Sequence, residues 1–298
     1  MPAPLDDWLR VTHARGSLLA HNLLPARWGF RLDESPSASW HLVLKGDAVV
    51  LLPEREPVLL GPGDLVLLPR GPAHELASHP DARTVPLDRW APPEGAEPVT
   101  TVLCGEYRGS SCPITSLWRD LPEVIHLPAS VLADEPRVQR VLDLLVTELE
   151  APASGAEPLV ASLLDALMVY VLRAWTRSDE GAGTWVGGLD DPALADTLRK
   201  VHAEPAAPWT VEELAQEAGM SRAAFSRIFS ERLGEPPMQY VRRWRMAHAA
   251  RLLTEDADRP VAHIAEEVGY TSEFAFNRAF KRVIGQPPGR FRRSAFAP

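Results

Sequence analysis

The sequence predicts an α+β multidomain protein with an N-terminal β-barrel, a helical hairpin and a C-terminal domain made only of helices. Up to about residue 125, short apolar runs alternate with Gly, Pro and Asp, as in strands joined by turns. From about 134 to 177 the apolar residues follow helical spacing. After residue 192 one helical pattern occurs twice, which indicates two copies of one supersecondary unit.

Composition and length favour a cytoplasmic protein. A chain of 298 residues usually forms two domains, sometimes one or three. No apolar run reaches membrane-spanning length, and the first residues lack the basic and apolar segments of a secretory signal. Two cysteines do not make a disulfide scaffold. We therefore expect a cytoplasmic location and no membrane partner.

Charge is distributed unevenly along the chain. The net charge is −9, yet residues 192–298 carry 16 Lys and Arg against 13 Asp and Glu. The arginines of this part form two clusters, Arg242, Arg243 and Arg245, then Arg290, Arg292 and Arg293. The asymmetry favours a nucleic-acid contact, with chance variation in surface composition as the alternative. An excess of three positive charges is too small for a nonspecific nucleoid protein.

Residues 1–125 are predicted to form the barrel. The expected strands cover 41–46, 47–52, 57–60, 65–68 and 99–105. Tight turns are expected between them at 61–64 and 69–72. Residues 81–98, rich in Pro and acidic side chains, are expected to be an exposed loop. Many short strands separated by turns are typical of a barrel or sandwich.

Residues 126–180 are predicted to form the helical hairpin. Its two apolar stripes are Val138, Val141, Leu142, Leu145 and Leu149, and Leu163, Leu164, Leu167, Val171 and Leu172. A helix-breaking link, 151–155, separates them. The apolar face packs on the barrel or mediates a homodimer, and the two can hold together. The polar, glycine-containing segment 181–191 is predicted to be a flexible linker before a domain over 192–298.

The repeated pattern predicts two helix-turn-helix motifs. From Ser221 to Tyr240 every matched position recurs 51 residues later, ending at Phe291, and each copy carries Gly, Ser, Phe, Arg and Phe at fixed spacing. Thr210 and Glu213 have the spacing of a capping box. Glycine ends the first helix of each motif, and a serine begins the second. A long helix over 238–254 is expected to join the motifs.

The solvent-facing side of each second helix provides the candidate base-reading residues. In the first copy they are Arg222, Ala223, Ser226 and Arg227, and in the second Glu273, Phe274, Ala275, Asn277 and Arg278. Arginine pairs with guanine edges in the major groove, and small residues permit close approach. Phe274 is an aromatic residue predicted to face solvent. It either contacts a thymine methyl group or packs at a domain interface.

The double pattern resembles the AraC/XylS family of transcription regulators over about residues 195–293. The resemblance rests on Gly-x-Ser-x3-Phe-x-Arg-x-Phe and the closing Gly-x-Pro-Pro-x2-aromatic, although the second copy has Gln286 before its prolines. It implies a sequence-specific activator at promoter DNA, working through RNA polymerase. The base-reading positions that it carries over are Ala223, Ser226, Arg227, Phe274, Ala275 and Arg278.

The N-terminal part resembles the cupins, which are small β-barrels. The residues that carry this resemblance are His41-Leu-Val-Leu-x-Gly46 and Gly63-Asp64-x4-Pro69-x-Gly71-x2-His74. The first motif departs from the family, because Lys45 stands where Glu is frequent. Candidate metal ligands are His21, His41, His74 and Cys104, with Zn²⁺ as the expected ion. Exposed or hydrogen-bonded histidines are the alternative.

Other signals remain open at this point. Cys104 and Cys112 are candidates for oxidation, or they are inert buried thiols. A small organic effector in the barrel is a third possibility. A cupin-type metalloenzyme with a DNA-binding appendage is the rival function, but its usual ligand set is incomplete here. We expect a regulator with no catalytic residues, whose sensor shifts the DNA-competent population.

Overall fold

The described residues of the protein divide into two compact units. The computed structural model describes residues 4–5, 7–8, 15–108, 121–178, 181, 184–189 and 191–295. The described residues between 15 and 175 form an N-terminal unit. Those from 176 onwards form a C-terminal unit, and the described residues 4–5 and 7–8 pack with that unit, although the sequence assigns them to the predicted barrel domain.

The N-terminal unit contains ten strands in two five-stranded sheets. The strands are β1 (Arg15–Leu24), β2 (Gly29–Leu32), β3 (Ala38–Lys45), β4 (Ala48–Leu51), β5 (Val58–Leu60), β6 (Leu65–Leu68), β7 (His74–Ala77), β8 (Val85–Pro86), β9 (Thr100–Arg108) and β10 (Ile125–Leu127). One sheet has the order β1-β9-β3-β6-β10 and the other β5-β4-β7-β2-β8. All pairs are antiparallel except β2–β8. This is the predicted barrel.

The barrel core is apolar and draws on both sheets. Its buried members include Leu24, Phe30, Val43, Val50, Val66, Leu76 and Val102. Cys104 belongs to the same cluster. Burying this apolar surface supplies the main stabilisation of the fold. The predicted loop over 81–98 holds only the short β8 and a 3-10 turn, Leu87–Arg89.

Three helices follow the barrel, α1 (Ala129–Ala133), α2 (Pro136–Glu150) and α3 (Ala156–Arg177). The helix α3 packs on the barrel of its own unit. Tyr107 donates its hydroxyl proton to the carbonyl of Leu164, and the amide of Gly16 donates to Asp165 Oδ1 at 2.7 Å. The first alternative for the hairpin, packing on its own barrel, is thus confirmed for α3.

One helix among the described residues, α3, is long and apolar enough to cross a membrane, with a mean hydropathy of 1.5. The sequence prediction that no segment reaches this length is wrong on that criterion. Core helices pass the same test, and α3 buries one continuous face. The residues on that face are Leu164, Leu167, Met168, Val171, Leu172, Ala174 and Trp175.

The C-terminal unit is entirely helical in its described residues. Its helices are α4 (Trp185–Gly188), α5 (Ala195–Ala203), α6 (Val211–Glu217), α7 (Arg222–Leu233), α8 (Pro237–Glu255), α9 (Val261–Glu267), α10 (Glu273–Ile284) and α11 (Pro288–Ala295). The first repeat comprises α6, α7 and the beginning of α8, and the second comprises α9, α10 and α11. The rest of α8 joins them. These boundaries agree with the sequence prediction.

The segment predicted as a flexible linker is partly a packed element. Val186 and Leu189 are buried, and α4 contacts α7. A Cβ atom at Gly188 would meet the carbonyl oxygen of Arg232 at 2.3 Å, so only glycine allows this approach. The prediction of a linker over 181–191 is therefore wrong for residues 184–189. Its glycine content reflects close packing there rather than chain freedom.

Candidate functional site

Local hydrogen bonds set the beginning of each helix in the first repeat. The Glu213 amide donates to Thr210 Oγ1 at 3.2 Å, and Glu213 Oε2 accepts from the Thr210 amide at 2.7 Å, which confirms the capping box. Ser221 Oγ accepts from the amide of Ala224 at 3.3 Å and begins α7. Gly219, in the turn, has φ +65°. This backbone conformation favours glycine and explains its place in the pattern.

The second repeat uses the same construction in its turn and at the beginning of its second helix, whereas its first helix begins after Pro260 without a side-chain cap. Ser272 Oγ accepts from the amide of Ala275 at 3.4 Å, and Gly269 has φ +82°. The aromatic cores also match. Phe229 meets Tyr240 edge-on with ring centroids 5.6 Å apart, and Phe280 meets Phe291 edge-on at 5.5 Å. The predicted repeat is therefore real at the level of caps, turns and packing.

The recognition face of α7 is exposed and its arginines are ion-paired. Arg222, Ala223 and Arg227 are exposed, whereas Ser226 is half-buried. Arg227 Nη1 donates to both carboxylate oxygens of Glu231, at 3.0 and 2.9 Å. Arg222 Nη1 lies 2.9 Å from Glu212 Oε1. Both arginines are available to solvent, but each carries a neutralising carboxylate.

The recognition face of α10 is exposed and more cationic. Glu273, Phe274, Ala275 and Arg278 are exposed, and 71% of Phe274 is accessible. The Arg278 guanidinium lies 5.8 Å from the centroid of the Phe274 ring. Asn277 is half-buried and donates to the carbonyl of Glu273 at 2.9 Å. The prediction that Phe274 faces solvent is confirmed, and packing inside its own unit is excluded.

A basic cleft of about 800 Å³ lies beside α10, between that helix and α8. Phe274 and Arg278 line it, and its other charged lining residues are Arg242, Arg245, Lys281 and Arg282. Positive charge beside a recognition helix suits the phosphates that flank a major groove. The recognition face of α10 thus continues into a phosphate-attracting surface.

Two predicted arginine clusters are divided between surface and structure. Arg242 is exposed, but Arg243 is buried and paired with Glu235. Arg245 donates to the carbonyls of Pro205 and Ala207. In the later cluster, Arg292 donates to the carbonyls of Ala257 and Arg259. The prediction of two cationic surface clusters is wrong for Arg243, Arg245 and Arg292, because tertiary contacts engage them.

The N-terminal residues dock on the first repeat. Trp8 is buried, and its Nε1 donates to the Tyr240 hydroxyl at 2.9 Å. That hydroxyl faces His202 Nε2 at 2.7 Å, and His202 Nδ1 faces Asp7 Oδ2 at 3.2 Å. The His202 ring stacks on Trp244, 3.8 Å away. This buried network is a feature that sequence reasoning missed, since nothing local links residue 8 to residue 240.

The N-terminal unit brings three of the predicted ligand residues together inside the barrel. His41 Nδ1 lies 3.1 Å from Cys104 Sγ, and His41 Nε2 lies 2.8 Å from His74 Nε2. His74 Nδ1 lies 2.8 Å from the carbonyl of Pro72. Asn22 Nδ2 donates to Cys104 Sγ at 3.6 Å. The three side chains are buried among apolar residues.

In this series of hydrogen bonds each group donates to the next, from Asn22 through Cys104, His41 and His74 to the carbonyl of Pro72. The carbonyl of Pro72 can only accept, so His74 Nδ1 carries a proton and a neutral His74 accepts at Nε2. His41 then donates from Nε2 and accepts at Nδ1, where the Cys104 thiol is its donor. Burial lowers the pKa of both histidines, that of His41 well below the ordinary value. Burial raises the Cys104 pKa to about 12. All three groups are therefore neutral.

His21 does not belong with the other predicted ligands. It pairs with Leu103 across the sheet, whereas Cys104 pairs with Ala20 and His41. Successive residues of a strand point to opposite faces, so His21 lies on the other face from Cys104. The predicted set of four ligands is therefore wrong for His21. Cys112, the other redox candidate, lies outside the described residues.

The remaining three donors do not surround one point. His41 turns one ring nitrogen to Cys104 and the other to His74. In the described part of the chain, no three His, Cys, Asp or Glu side chains are placed to hold a metal ion. A cleft of about 580 Å³ reaches His74, with Arg31, Asp33 and Glu75 among its lining residues. His74 lines this cleft, whereas His41 is fully buried and does not line it.

Comparison with known proteins places both units in families. A profile described as Cupin matches residues 3–177, and one described as Helix-turn-helix domain matches residues 214–294. An AraC-like transcription regulator of Streptomyces lividans is 32% identical over 99% of this chain and 99% of its own length. This chain belongs to the AraC-like transcription regulators.

Other similar proteins agree with this assignment. The RCS-specific HTH-type transcriptional activator RclR of Escherichia coli is 30% identical to the regulator over 85% of this chain and 83% of its own length. The C-terminal domain of AraT, a response regulator of Geobacillus stearothermophilus, covers 35% of this chain and 86% of its own, with 28% identity and a TM-score of 0.33. The helix-turn-helix match and the two sequence relatives show that the protein is a sequence-specific DNA-binding transcription regulator and not an enzyme.

Two further residues of the regulator matter and were missed in the sequence. Asn22 touches the Cys104 sulfur, and only the pairing of β1 with β9 makes them neighbours. Glu231 binds Arg227, and the repeat offset of 51 places Arg282 at the equivalent position. The second of these was detectable, since the alignment of the two copies shows a reversal of charge.

Proposed function

We propose that this regulator is a cytoplasmic activator that binds promoter DNA as a homodimer, contacts RNA polymerase and is controlled through its cupin unit. The single observation that supports a sensor is the buried chain from Asn22 through Cys104 and His41 to His74. Polar groups inside an apolar core cost free energy unless they are fully hydrogen-bonded, and apolar side chains would stabilise the core better. A chain of ligand-type residues there therefore favours a function over a structural role.

The protonation states favour a metal ion over an oxidant as the signal. Burial keeps His41 and His74 neutral, which is the form that binds metals. The same burial keeps the Cys104 thiol protonated, with a pKa of about 12. Since the thiolate is the reactive form, this thiol is a poor target for peroxide. We therefore propose that the two histidines bind a transition metal, with Zn²⁺ as the first candidate.

The donor set fits a partial site. His41 and His74 would hold the ion through their Nε2 atoms, which now share one proton. Cys104 would support His41 by hydrogen bonding, as second-layer partners of metal ligands commonly do. Two imidazoles leave coordination positions free, and His74 also lines the cleft of about 580 Å³, which we propose as the entry for a small molecule. When bound, such an ion supplies a Lewis acid to that ligand.

Metal analysis of the purified full-length protein tests this proposal. We expect about one Zn²⁺ per chain after dialysis against a zinc buffer, and loss of that ion in His41→Ala and His74→Ala. His21→Ala is the matched control, because His21 lies in the same sheet but on the other face. Equal zinc in all three variants, or none in the wild type, contradicts a metal at His41 and His74.

Two other signals are distinguished by the same protein. If zinc is absent and peroxide alters DNA binding in the wild type but not in Cys104→Ser, the signal is an oxidant. One oxygen atom is then transferred to Sγ, the thiol becomes a sulfenic acid and water leaves. If neither holds, the cleft beside His74 is the remaining site for a small organic effector.

The outer side of the hairpin supports the homodimer. Leu144 of α2 and Leu159 of α3 are among the most exposed large apolar residues of the described chain, at 59% and 47%. Apolar residues on an exposed helical surface favour association. We expect Leu144→Glu together with Leu159→Glu to convert a dimer to a monomer in sedimentation velocity. An unchanged dimer contradicts this surface, and a monomeric wild type contradicts the homodimer itself.

A further inference from the structure

The two repeats carry opposite charges at one equivalent position. The offset of 51 pairs Glu231 of α7 with Arg282 of α10. Glu231 holds Arg227 through two hydrogen bonds of 3.0 and 2.9 Å. Arg282 repels its neighbour Arg278, and in the described residues no carboxylate pairs with Arg278. The same reading arginine is thus bound in one repeat and released in the other.

The released arginine is directed towards the opposite end of its helix. Glu231 lies one turn beyond Arg227 towards the C-terminus of α7. Arg278 instead lies over Phe274, one turn back towards the N-terminus of α10, 5.8 Å from the ring centroid. In helix-turn-helix proteins the N-terminal residues of the recognition helix contact base edges. Arg278 is therefore placed for base contact, whereas Arg227 is drawn away from it.

Within the described part of the C-terminal unit, no contact buries Phe274. It is the most exposed large apolar residue in the described chain, with 71% of its surface accessible. Exposing a large ring on a cationic surface forgoes the stabilisation that burial would give. The neighbouring Ala275 is small and exposed, which permits close approach of a partner. The ring is thus an apolar contact placed among groups that attract phosphate.

We propose that Phe274 and Arg278 act as one reading unit for a thymine next to a guanine. The C5 methyl of thymine is the apolar group that the major groove offers, and guanine O6 and N7 accept two hydrogen bonds from arginine. The ring holds the guanidinium by a cation–π contact, which preorganises it for the base beside the one that the ring touches. The inference rests on the DNA binding of the family and adds the sequence that the second repeat selects.

Selection of duplexes from a random pool by the full-length protein tests the prediction first. We expect an enriched motif with thymine and guanine adjacent in one half-site. A motif with no such neighbours in either half-site overturns the proposal. Specific enrichment of any motif still leaves the DNA binding of the family intact, so the two outcomes are distinguishable.

Modified bases then test each contact in the selected site. Replacing the thymine by uracil removes only the methyl group, and we expect affinity to fall about fourfold, the value of one buried methyl. Replacing the guanine by 7-deazaguanine removes N7, and we expect a loss of roughly tenfold. The DNA affinity of Phe274→Ala should not change when thymine is replaced by uracil. That of Arg278→Ala should not change when guanine is replaced by 7-deazaguanine.

The preorganisation has its own readout and control. Because the ring positions the guanidinium, Phe274→Ala should also reduce the effect of 7-deazaguanine, although Phe274 does not touch that base. Arg227→Ala, in the first repeat, should keep the full sensitivity to both modified bases. If the replacement of thymine by uracil lowers the DNA affinity of Phe274→Ala as much as that of the wild type, the ring does not contact the methyl group. This result overturns the proposal.

Discussion

The two helix-turn-helix repeats have the same interior and different surroundings. The serine caps of their second helices, their turn glycines and their edge-on aromatic pairs correspond to each other. They differ where each repeat meets something else. The first repeat carries Tyr240, whose hydroxyl binds Trp8 and His202, while the second carries Phe291. The first pairs Arg227 with Glu231, while the second leaves Arg278 over Phe274.

This difference indicates a division of labour. Three residues contact Trp8, namely Tyr240, Arg243 and Trp244, and they correspond to Phe291, Ser294 and Ala295 in the second repeat. Glu235, the ion-pair partner of Arg243, corresponds to Gln286. The first repeat has thus acquired the side chains that tie it to the N-terminal residues. In the second repeat, Arg278 on the recognition helix is exposed and pairs with no carboxylate among the described residues. Positions that build the fold are shared, and positions that contact partners have diverged.

The largest effect should be equal in the two repeats. Phe229→Ala and Phe280→Ala each remove a buried ring from equivalent aromatic pairs, so each should destabilise the C-terminal unit by about 3–5 kcal/mol. Urea unfolding followed by circular dichroism measures this. Ala279→Gly, in the same helix as Phe280, is the control, with a cost of about 1 kcal/mol. A difference above about 2 kcal/mol between the phenylalanine variants contradicts equal cores.

The two repeats should contribute unequally to the affinity for specific DNA. Arg278→Ala is expected to weaken specific binding by about 1–3 kcal/mol, because a free guanidinium that reads a base is lost. Arg227→Ala should lie at the low end of that range, since Arg227 must first leave Glu231. Fluorescence anisotropy with the selected duplex gives both values. If Arg227→Ala proves the more harmful of the two, the proposed order of the repeats is reversed.

Removing one hydroxyl should affect only the first repeat. Tyr240→Phe gives the first repeat the aromatic residue of the second, and it leaves the buried Trp8 Nε1 and His202 Nε2 without the hydroxyl between them. The expected loss is about 1–2 kcal/mol of unfolding free energy. The reverse change, Phe291→Tyr, is the matched control and tests whether a hydroxyl is tolerated where no partner is provided. Tyr240→Phe with unchanged stability contradicts the docking of Trp8.

The same network gives the first repeat a pH dependence. Burial lowers the pKa of His202, while Asp7 opposes the shift. The unfolded chain therefore takes up a proton near pH 6.5 that the folded chain takes up only at lower pH. Stability from this group is complete above pH 6.5 and decreases as the pH falls below it. Melting temperature at pH 7.5 and 5.5 should show a smaller difference in His202→Gln than in the wild type.

The sequence predicted the local features of this comparison. Caps, turn glycines and the exposed faces of α7 and α10 depend on residues within a few positions of each other, so the repeat specified them. The surroundings depend on residues far apart in the chain. No sequence signal near Tyr240 indicates its contact with Trp8. Likewise, no sequence signal near Arg243 indicates that it is buried and paired with Glu235.

The barrel shows the same limit of sequence-based prediction. Motif positions correctly selected His41 and His74 as neighbours, and Cys104 joins them. The error at His21 comes from strand register, because a shift of one residue moves a side chain to the other face. The three donors form a series of hydrogen bonds and do not surround one point. This arrangement depends on the orientation of the histidine rings, which the spacing of residues in the sequence does not predict.

The smallest expected effect tests the charge reversal directly. Glu231→Gln releases Arg227, so we expect specific affinity to rise about twofold, consistent with the few tenths of a kcal/mol of an exposed pair. Arg282→Glu offers Arg278 a carboxylate and should lower affinity. This substitution also places negative charge near DNA, and repulsion from the phosphates weakens specific and nonspecific binding alike. The measurement is therefore the ratio of specific to nonspecific affinity, which that repulsion alone leaves unchanged. Glu255→Gln is the control, since Glu255 makes the same kind of pair with Arg251 on α8. If Glu231→Gln and Glu255→Gln change the ratio equally, the pair with Glu231 does not restrain reading by the first repeat.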